Sequence, residues 1–246
     1  MKESYTEIIE LRTCDCNMEA FWRPGSILEI MQETAAAHCE QLEASHEQLD
    51  PLGLGWVLSR TAVEMTRLPR YGERVTVETY LLPVRHLFYP RGNVIRDARG
   101  TVIGVANSYW VLMDMNTRRM VNSDYVQEHL PVSGERQEPV RLNAAIRPLE
   151  GEIRRGTLAP RYSEFDLNGH VNNTHYMDWC CDALGAELLR EKQIADFRVY
   201  SENELRMGAG VDTELTVQGD RFAFFGFSEG KRCFSAGGVL KDSSGW

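Results

Sequence analysis

Long hydrophobic runs are absent from this 246-residue sequence. No stretch of about 18 consecutive apolar residues occurs, which excludes a membrane-spanning helix. The start, Met1-Lys2-Glu3-Ser4-Tyr5-Thr6-Glu7, has no apolar h-region, so no secretory signal is expected. Dense positive charge is missing too. Lys and Arg number 27 against 36 Asp and Glu, a formal net charge of −9. A general nucleic-acid binder needs clustered Lys and Arg for phosphate contacts, so no nucleic-acid partner is expected. Cysteines number six, and neither Cys14-x-Cys16 nor Cys180-Cys181 has zinc-knuckle or thioredoxin spacing. The expectation is a cytoplasmic chain with free, mostly buried thiols. His38, His46, His86, His129 and His175 do not pair with Cys, Asp or Glu at metal-ligand spacing, so neither a metal nor a cofactor is expected. No G-x-S-x-G elbow occurs, which argues against a serine hydrolase of the α/β type.

What is present is ordinary globular composition, 43% apolar and 26% charged. The length suits one large domain or two of about 120 residues. Pro131, Pro139, Pro148 and Pro160, with Gly134, Gly151 and Gly156 between them, interrupt helix and ladder bonding, so residues 131–160 read as a linker over the surface. It separates residues 1–130 from 161–246. Each half shows the same order of signals. Asp15-Cys16-Asn17 precedes a helix expected from Ser26, with Glu29 completing a capping box and Ile27, Ile30, Met31, Thr34, Ala35 and His38 on one face. Val57, Ser59, Thr61, Val63 and Met65 then alternate as a strand. A turn at 70–73 leads to a second strand at 75–79, and a hairpin turn at 97–100 leads to a long strand at 101–114. In the second half Asp166-Leu167-Asn168 precedes a helix from about Asn173, with Tyr176, Trp179, Cys180, Ala183 and Leu184 on its apolar side. Strands at 197–204 and 214–219 follow, and a last one ends near Leu240. A duplicated α+β unit is implied, each copy wrapping a curved antiparallel sheet round a long helix. Pairing the copies edge to edge covers exposed strand edges.

The densest polar cluster runs from Tyr162 to Tyr176, just ahead of the second helix. It holds Asp166, Asn168 and His170 within five residues, with Gly169 free to take a left-handed turn. A carboxylate, an amide, an imidazole and the unbonded N–H groups of a helix start are what acyl hydrolysis needs: proton transfer, an oxyanion donor and an orienting group. Asp and Asn in front of a helix are also ordinary caps, and that reading stays open from the residues alone.

Asp166-Leu167-Asn168-Gly169-His170-Val171-Asn172-Asn173, with Tyr176 and Trp179, resembles the active-site motif of the acyl-ACP thioesterases of plant plastids and their bacterial relatives. In the first half the similarity extends to Gln32–Ala35, Trp56–Arg60, Arg67–Glu73 and Ser108–Asp114 followed by Thr117-Arg118-Arg119. The resemblance implies a double hotdog fold and a catalytic set of Asp166, Asn168, His170 and Glu204. Glu204 is chosen over Glu202 because it stands four residues before Gly208. Many plant members carry Cys directly after that Glu. Here Leu205 does, so no Cys nucleophile is expected at that place. The implied reaction is hydrolysis of fatty acyl-ACP, with Glu204 and His170 activating water, Asn168 and a backbone N–H holding the oxyanion, and Asp166 orienting its neighbours.

In the first half Asp15-Cys16-Asn17 continues as Met18-Glu19, with no histidine, and this half is expected to shape an acyl tunnel instead, from Ile30, Met31, Thr34, Trp56, Leu58 and Trp110. The same residue types at these spacings also build plain core. The implied partner is an acyl carrier protein. Carrier and chain are both acidic, so docking calls for a local basic patch: Arg118-Arg119, Arg154-Arg155, or Arg190 with Lys192. A homodimer is left open as the assembly. Competing readings are acyl-CoA hydrolysis at the same site, a hotdog hydratase or dehydratase, and a non-catalytic acyl-binding regulator.

Overall fold

The computed structural model describes residues 3–131, 136–142 and 145–245. Gly134 and Glu135, part of the linker reading, lie outside the described residues. In chain order the elements are β1 (Ser4–Glu10), α1 (Pro24–Gln41), α2 (His46–Leu49), β2 (Leu54–Met65), β3 (Arg74–Leu81), β4 (Phe88–Asp97), β5 (Val102–Asp114), β6 (Arg119–Met120), α3 (Asp124–His129), β7 (Arg154–Leu158), α4 (His175–Leu184), α5 (Ala186–Glu191), β8 (Lys192–Ser201), β9 (Val211–Gln218), β10 (Arg221–Ser228) and β11 (Lys231–Asp242).

The strands form one antiparallel sheet in the order β1-β3-β4-β5-β2-β8-β11-β10-β9-β7, with β6 paired to β5. The order reads the same from either edge toward the middle, as a duplicated unit requires. β2 and β8 meet there in five residue pairs, from Arg60 opposite Tyr200 to Glu64 opposite Asp196. The two helices α1 and α4 lie against one face. Their apolar stripes supply Ile27, Leu28, Met31, Tyr176, Met177 and Cys180 to a core shared with Val63, Phe197, Phe224 and Phe234.

The residues expected to face inward from α1 are all buried, but its start differs. The helix begins at Pro24, whose fixed φ suits a first turn. Ser26 is no cap. It is fully buried and donates to Asp15 Oδ1 at 3.1 Å, while Glu29 takes Arg23 at 3.3 Å.

Part of the expected linker is also structure. Arg154–Leu158 forms the edge strand β7 against β9. Further back, Val140 and Leu142 are buried on Ala62, Tyr109 and Tyr200, and Asn107 Nδ2 donates to the Val140 carbonyl at 3.1 Å. The segment therefore covers the side of the sheet opposite the helices.

Candidate active site

The loop from Asp166 to Asn173 is shaped by its own polar side chains. Asp166 Oδ1 accepts the backbone N–H of Asn168 at 2.9 Å and of His170 at 3.1 Å. The Asp166 N–H donates to the His170 carbonyl at 2.8 Å, and Gly169 closes the turn at φ 72°. Asp166 thus acts on the loop backbone; its bonds go to main chain and not to the Asn168 or His170 side chains. The loop is then clamped to the segment after β8 by Val171 N–H donating to Leu205 O at 3.0 Å.

That clamp brings Glu204 to His170. Glu204 Oε2 lies 3.1 Å from His170 Nε2. Glu202, the near competitor, is turned away. It takes Arg232 Nε at 2.8 Å and the Ser235 hydroxyl at 2.9 Å. Of the four residues expected to form the catalytic set, the structure unites Asp166, His170 and Glu204 through the loop. Asn168 sits on the same turn, exposed, and its side chain has no protein partner among the described residues. The backbone N–H of Asn173 likewise has no acceptor among the described residues.

The sequence reading missed a fourth side chain at this centre. Arg118, on the turn between β5 and β6, pairs through Nη2 with Glu204 Oε1 and lies 3.0 Å from His170 Nε2. Arg206 Nη2 approaches Glu204 Oε2 at 3.5 Å. Burial raises the Glu204 pKa, but Arg118, His170 and Arg206 together outweigh it and hold the carboxyl below its ordinary value. The only sequence signal for Arg118 was its place in Thr117-Arg118-Arg119.

The first half supplies the cavity. A pocket of about 180 Å³ is lined by Gln32, Ala35, Ala36 and Cys39 of α1, by Trp56 and Trp110, and by Leu81, Tyr89, Arg91 and Leu130, with Ser45 and His46 at one end. Trp56 and Trp110 were expected there. Ile30 and Met31 instead sit in the shared core, because they point about a third of a helical turn away from Gln32 and Ala36. Thr34 is buried and bonds its hydroxyl to Ile30 O and Glu7. Leu58 lies at a bulge of β2 and offers its carbonyl to Asn173 Nδ2 at 3.4 Å. Gln32 connects pocket and site, donating to Asn173 Oδ1 at 2.6 Å.

Alternative nucleophiles fare poorly. All six cysteines are free, and burial pushes the Cys181 thiol to about 12 and the Cys180 thiol well up. Thiolate is the reactive form, so neither is a nucleophile near neutrality. Leu205, where plant members carry Cys, is buried.

Of the basic patches, Arg118 is drawn into the site. Arg155 pairs with Glu214, Arg190 with Glu19 and Lys192 with Asp242. No helix among the described residues is long and apolar enough to cross a membrane.

Residues 2–128 match the family model for the acyl-ACP thioesterase N-terminal domain, and residues 149–227 match that for the C-terminal domain. An oleoyl-acyl carrier protein thioesterase of Coriandrum sativum is 26% identical over 234 residues, covering 88% of this chain and 63% of that protein. An acyl-[acyl-carrier-protein] hydrolase of Cuphea viscosissima is 23% identical and is covered over 57% of its length. The chain therefore spans about three-fifths of these curated relatives. The solved 12:0-ACP thioesterase of Umbellularia californica has the same fold, with a TM-score of 0.86 at 21% identity, covering 99% of both chains.

Proposed function

Because the chain belongs to the acyl-ACP thioesterase family, we propose that it hydrolyses the thioester of fatty acyl-[acyl carrier protein] to free fatty acid and carrier. The observation that carries this reading is the His170–Glu204 pair, 3.1 Å apart, joined through Asn173 and Gln32 to an apolar pocket in the other half. Proton-transfer groups at the mouth of a slot for a hydrocarbon chain are what a fatty thioester requires.

Glu204 is held ionised by Arg118 and Arg206, which makes it a poor proton acceptor. An imidazole is better suited to proton transfer near neutrality. In this scheme His170 takes the proton of the attacking water, and the Glu204 carboxylate steadies the imidazolium that forms, as the carboxylate of a triad does. The oxyanion falls to the Asn173 N–H at the start of α4 and to the Asn168 amide. Asp166 holds the loop at Asn168 and His170 by accepting their backbone N–H groups. The proton then passes to the thiolate of the carrier's prosthetic arm, and the fatty acid leaves.

In this reading residues 161–246 are the catalytic half, residues 1–130 the chain-binding half and 131–160 the connection. The free thiols support a cytoplasmic setting. The test is product analysis of purified protein with acyl-ACPs of graded length. One free fatty acid and one free thiol per thioester consumed is the expected result. A hydrated or dehydrated acyl chain with its thioester intact would assign a hydratase instead, and a higher kcat/KM on acyl-CoA would move the carrier to CoA.

A further inference from the structure

We propose that Arg118 is a positioning residue for the catalytic pair: contributed by the first half, it holds Glu204 aimed at His170, so that the second half's site is completed only across the β2–β8 seam. The inference rests on the thioesterase reading above. Arg118 comes from the end of β5, beyond the seam, yet its Nη2 reaches Glu204 Oε1 and stands 3.0 Å from His170 Nε2.

The turn that delivers it is built for the purpose. Asp114 Oδ1 accepts the N–H of Asn116 at 2.9 Å and of Thr117 at 2.7 Å, and Asp114 O accepts the N–H of Arg118 at 2.8 Å. These bonds hold Arg118 at φ 57°, a left-handed conformation that a side-chain-bearing residue adopts at a cost. The stem is steadied by Met115, whose sulfur lies 3.9 Å from Nη1. Such over-determined strain concentrates where a side chain must be aimed.

The groups facing Glu204 are His170 from the motif loop, Arg118 from the β5–β6 turn, and Arg206 from Glu204's own segment. Arg206 is 70% exposed and is therefore a weak, screened restraint. Its counterpart in the first half, Arg70, lies over the Phe21 ring at 3.9 Å, so an arginine at this position belongs to the loop frame and not to catalysis. Without Arg118, Glu204 is free to turn toward Arg206 and solvent, and the 3.1 Å contact with His170 is lost.

The experiment compares wild type with Arg118→Ala and Arg118→Lys on acyl-ACP, with thermal melts to verify folding. We expect kcat to fall about 10- to 100-fold in Arg118→Ala, the range a misplaced catalytic group produces, while KM stays within about twofold. Arg118→Lys should recover part of the loss, since an ammonium supplies charge but not the planar guanidinium whose Nη2 touches both groups. The acidic limb of the kcat/KM profile should move to higher pH in Arg118→Ala. Arg118 helps hold the Glu204 carboxyl below its ordinary value, so its removal lets the Glu204 titration rise. Wild-type kcat and an unmoved limb would overturn the proposal. So would a loss confined to KM, which would make Arg118 a substrate contact. Failure of the thioesterase reading looks different: wild type would release no thiol, or Glu204→Gln and His170→Ala would both remain active.

Discussion

The two halves of the chain share a frame and divide the work. Corresponding backbone bonds set the equivalences. Asn17 N–H donates to Phe21 O at 2.8 Å, as Asp166 N–H does to His170 O, and Trp22 N–H donates to Pro69 O at 2.9 Å, as Val171 N–H does to Leu205 O. Asn17 Oδ1 accepts two loop N–H groups, from Glu19 and Phe21, both at 3.0 Å. It therefore does the job of Asp166. Phe21 stands in the place of His170, and Leu68 in the place of Glu204; both are buried. Behind the loops the contrast reverses. In the second half Tyr176 stacks on Phe234 at 4.2 Å, with Trp179 and Phe224 against the same ring, between helix and sheet. In the first half the 18-residue α1 leaves a pocket beside Trp56 and Trp110. One half carries the His170–Glu204 pair and packs aromatic rings behind it. The other has a pocket, with Phe21 and Leu68 where the second half has His170 and Glu204.

The sharpest test of this contrast is at the proposed catalytic pair, His170 and Glu204. His170→Ala and Glu204→Gln should each lower kcat on acyl-ACP by about 10²- to 10⁴-fold with the fold retained. Steady-state assays beside circular dichroism check this, and near-normal turnover removes the residue from the scheme. Next comes the aromatic plug. Phe234→Ala should cost about 3–5 kcal/mol in denaturant unfolding, because three rings lose their partner. A cost below about 1 kcal/mol would mean the second half is not the packed one. A smaller effect is expected at the pocket. Ala36→Phe should fill it and lower kcat/KM on the longest good substrate about tenfold, while shorter chains are spared. Uniform loss over all lengths would place the acyl chain elsewhere. The least effect concerns a frame residue. Burial raises the pKa of Asp15, but bonds from Arg12 and Ser26 win and lower it. A depressed carboxyl stabilises the fold above its ordinary value near 3.8, and that contribution is lost as pH falls through the folded value. The Tm gap between wild type and Asp15→Asn should therefore narrow below about pH 4; a constant gap would refute the assignment.

Much of the fold was legible because its signals are local. The α1 stripe, the turns at 70–73 and 97–100, and the alternation in β2 follow from periodicity and turn chemistry. β1 escaped because its residues alternate between half-buried and exposed, Ile8 being 72% exposed, and its charges mask the pattern. β10, with Phe222, Phe224 and Phe225 in an almost unbroken apolar run, has no alternation to read. The repeat was seen two residues out of register: Asp15-x-Asn17 was matched to Asp166-x-Asn168 as letters. The backbone matches Asp15 to Glu164, which likewise bonds a backbone N–H three residues earlier. An amide and a carboxylate cap a loop equally well, so identity of type misled where identity of bonding would not. Asp166, His170 and Glu204, named from the motif, lie beside one another in the structure. Arg118 was invisible as a site residue, since its reach depends on the pairing of β2 with β8, which no spacing within either half encodes.

That seam also constrains motion. Five paired residues of β2 and β8, with Arg23 on Asp178 at 2.6 Å, Gln32 on Asn173 and Asn17 on Gln193, tie the halves at several points. They cannot part like jaws to admit a chain. In the proposed reaction a fatty chain would reach the pocket past side chains that step aside, Gln32 foremost, by rotamer changes and not by hinge opening. On that reading admission is a matter of a few torsion angles.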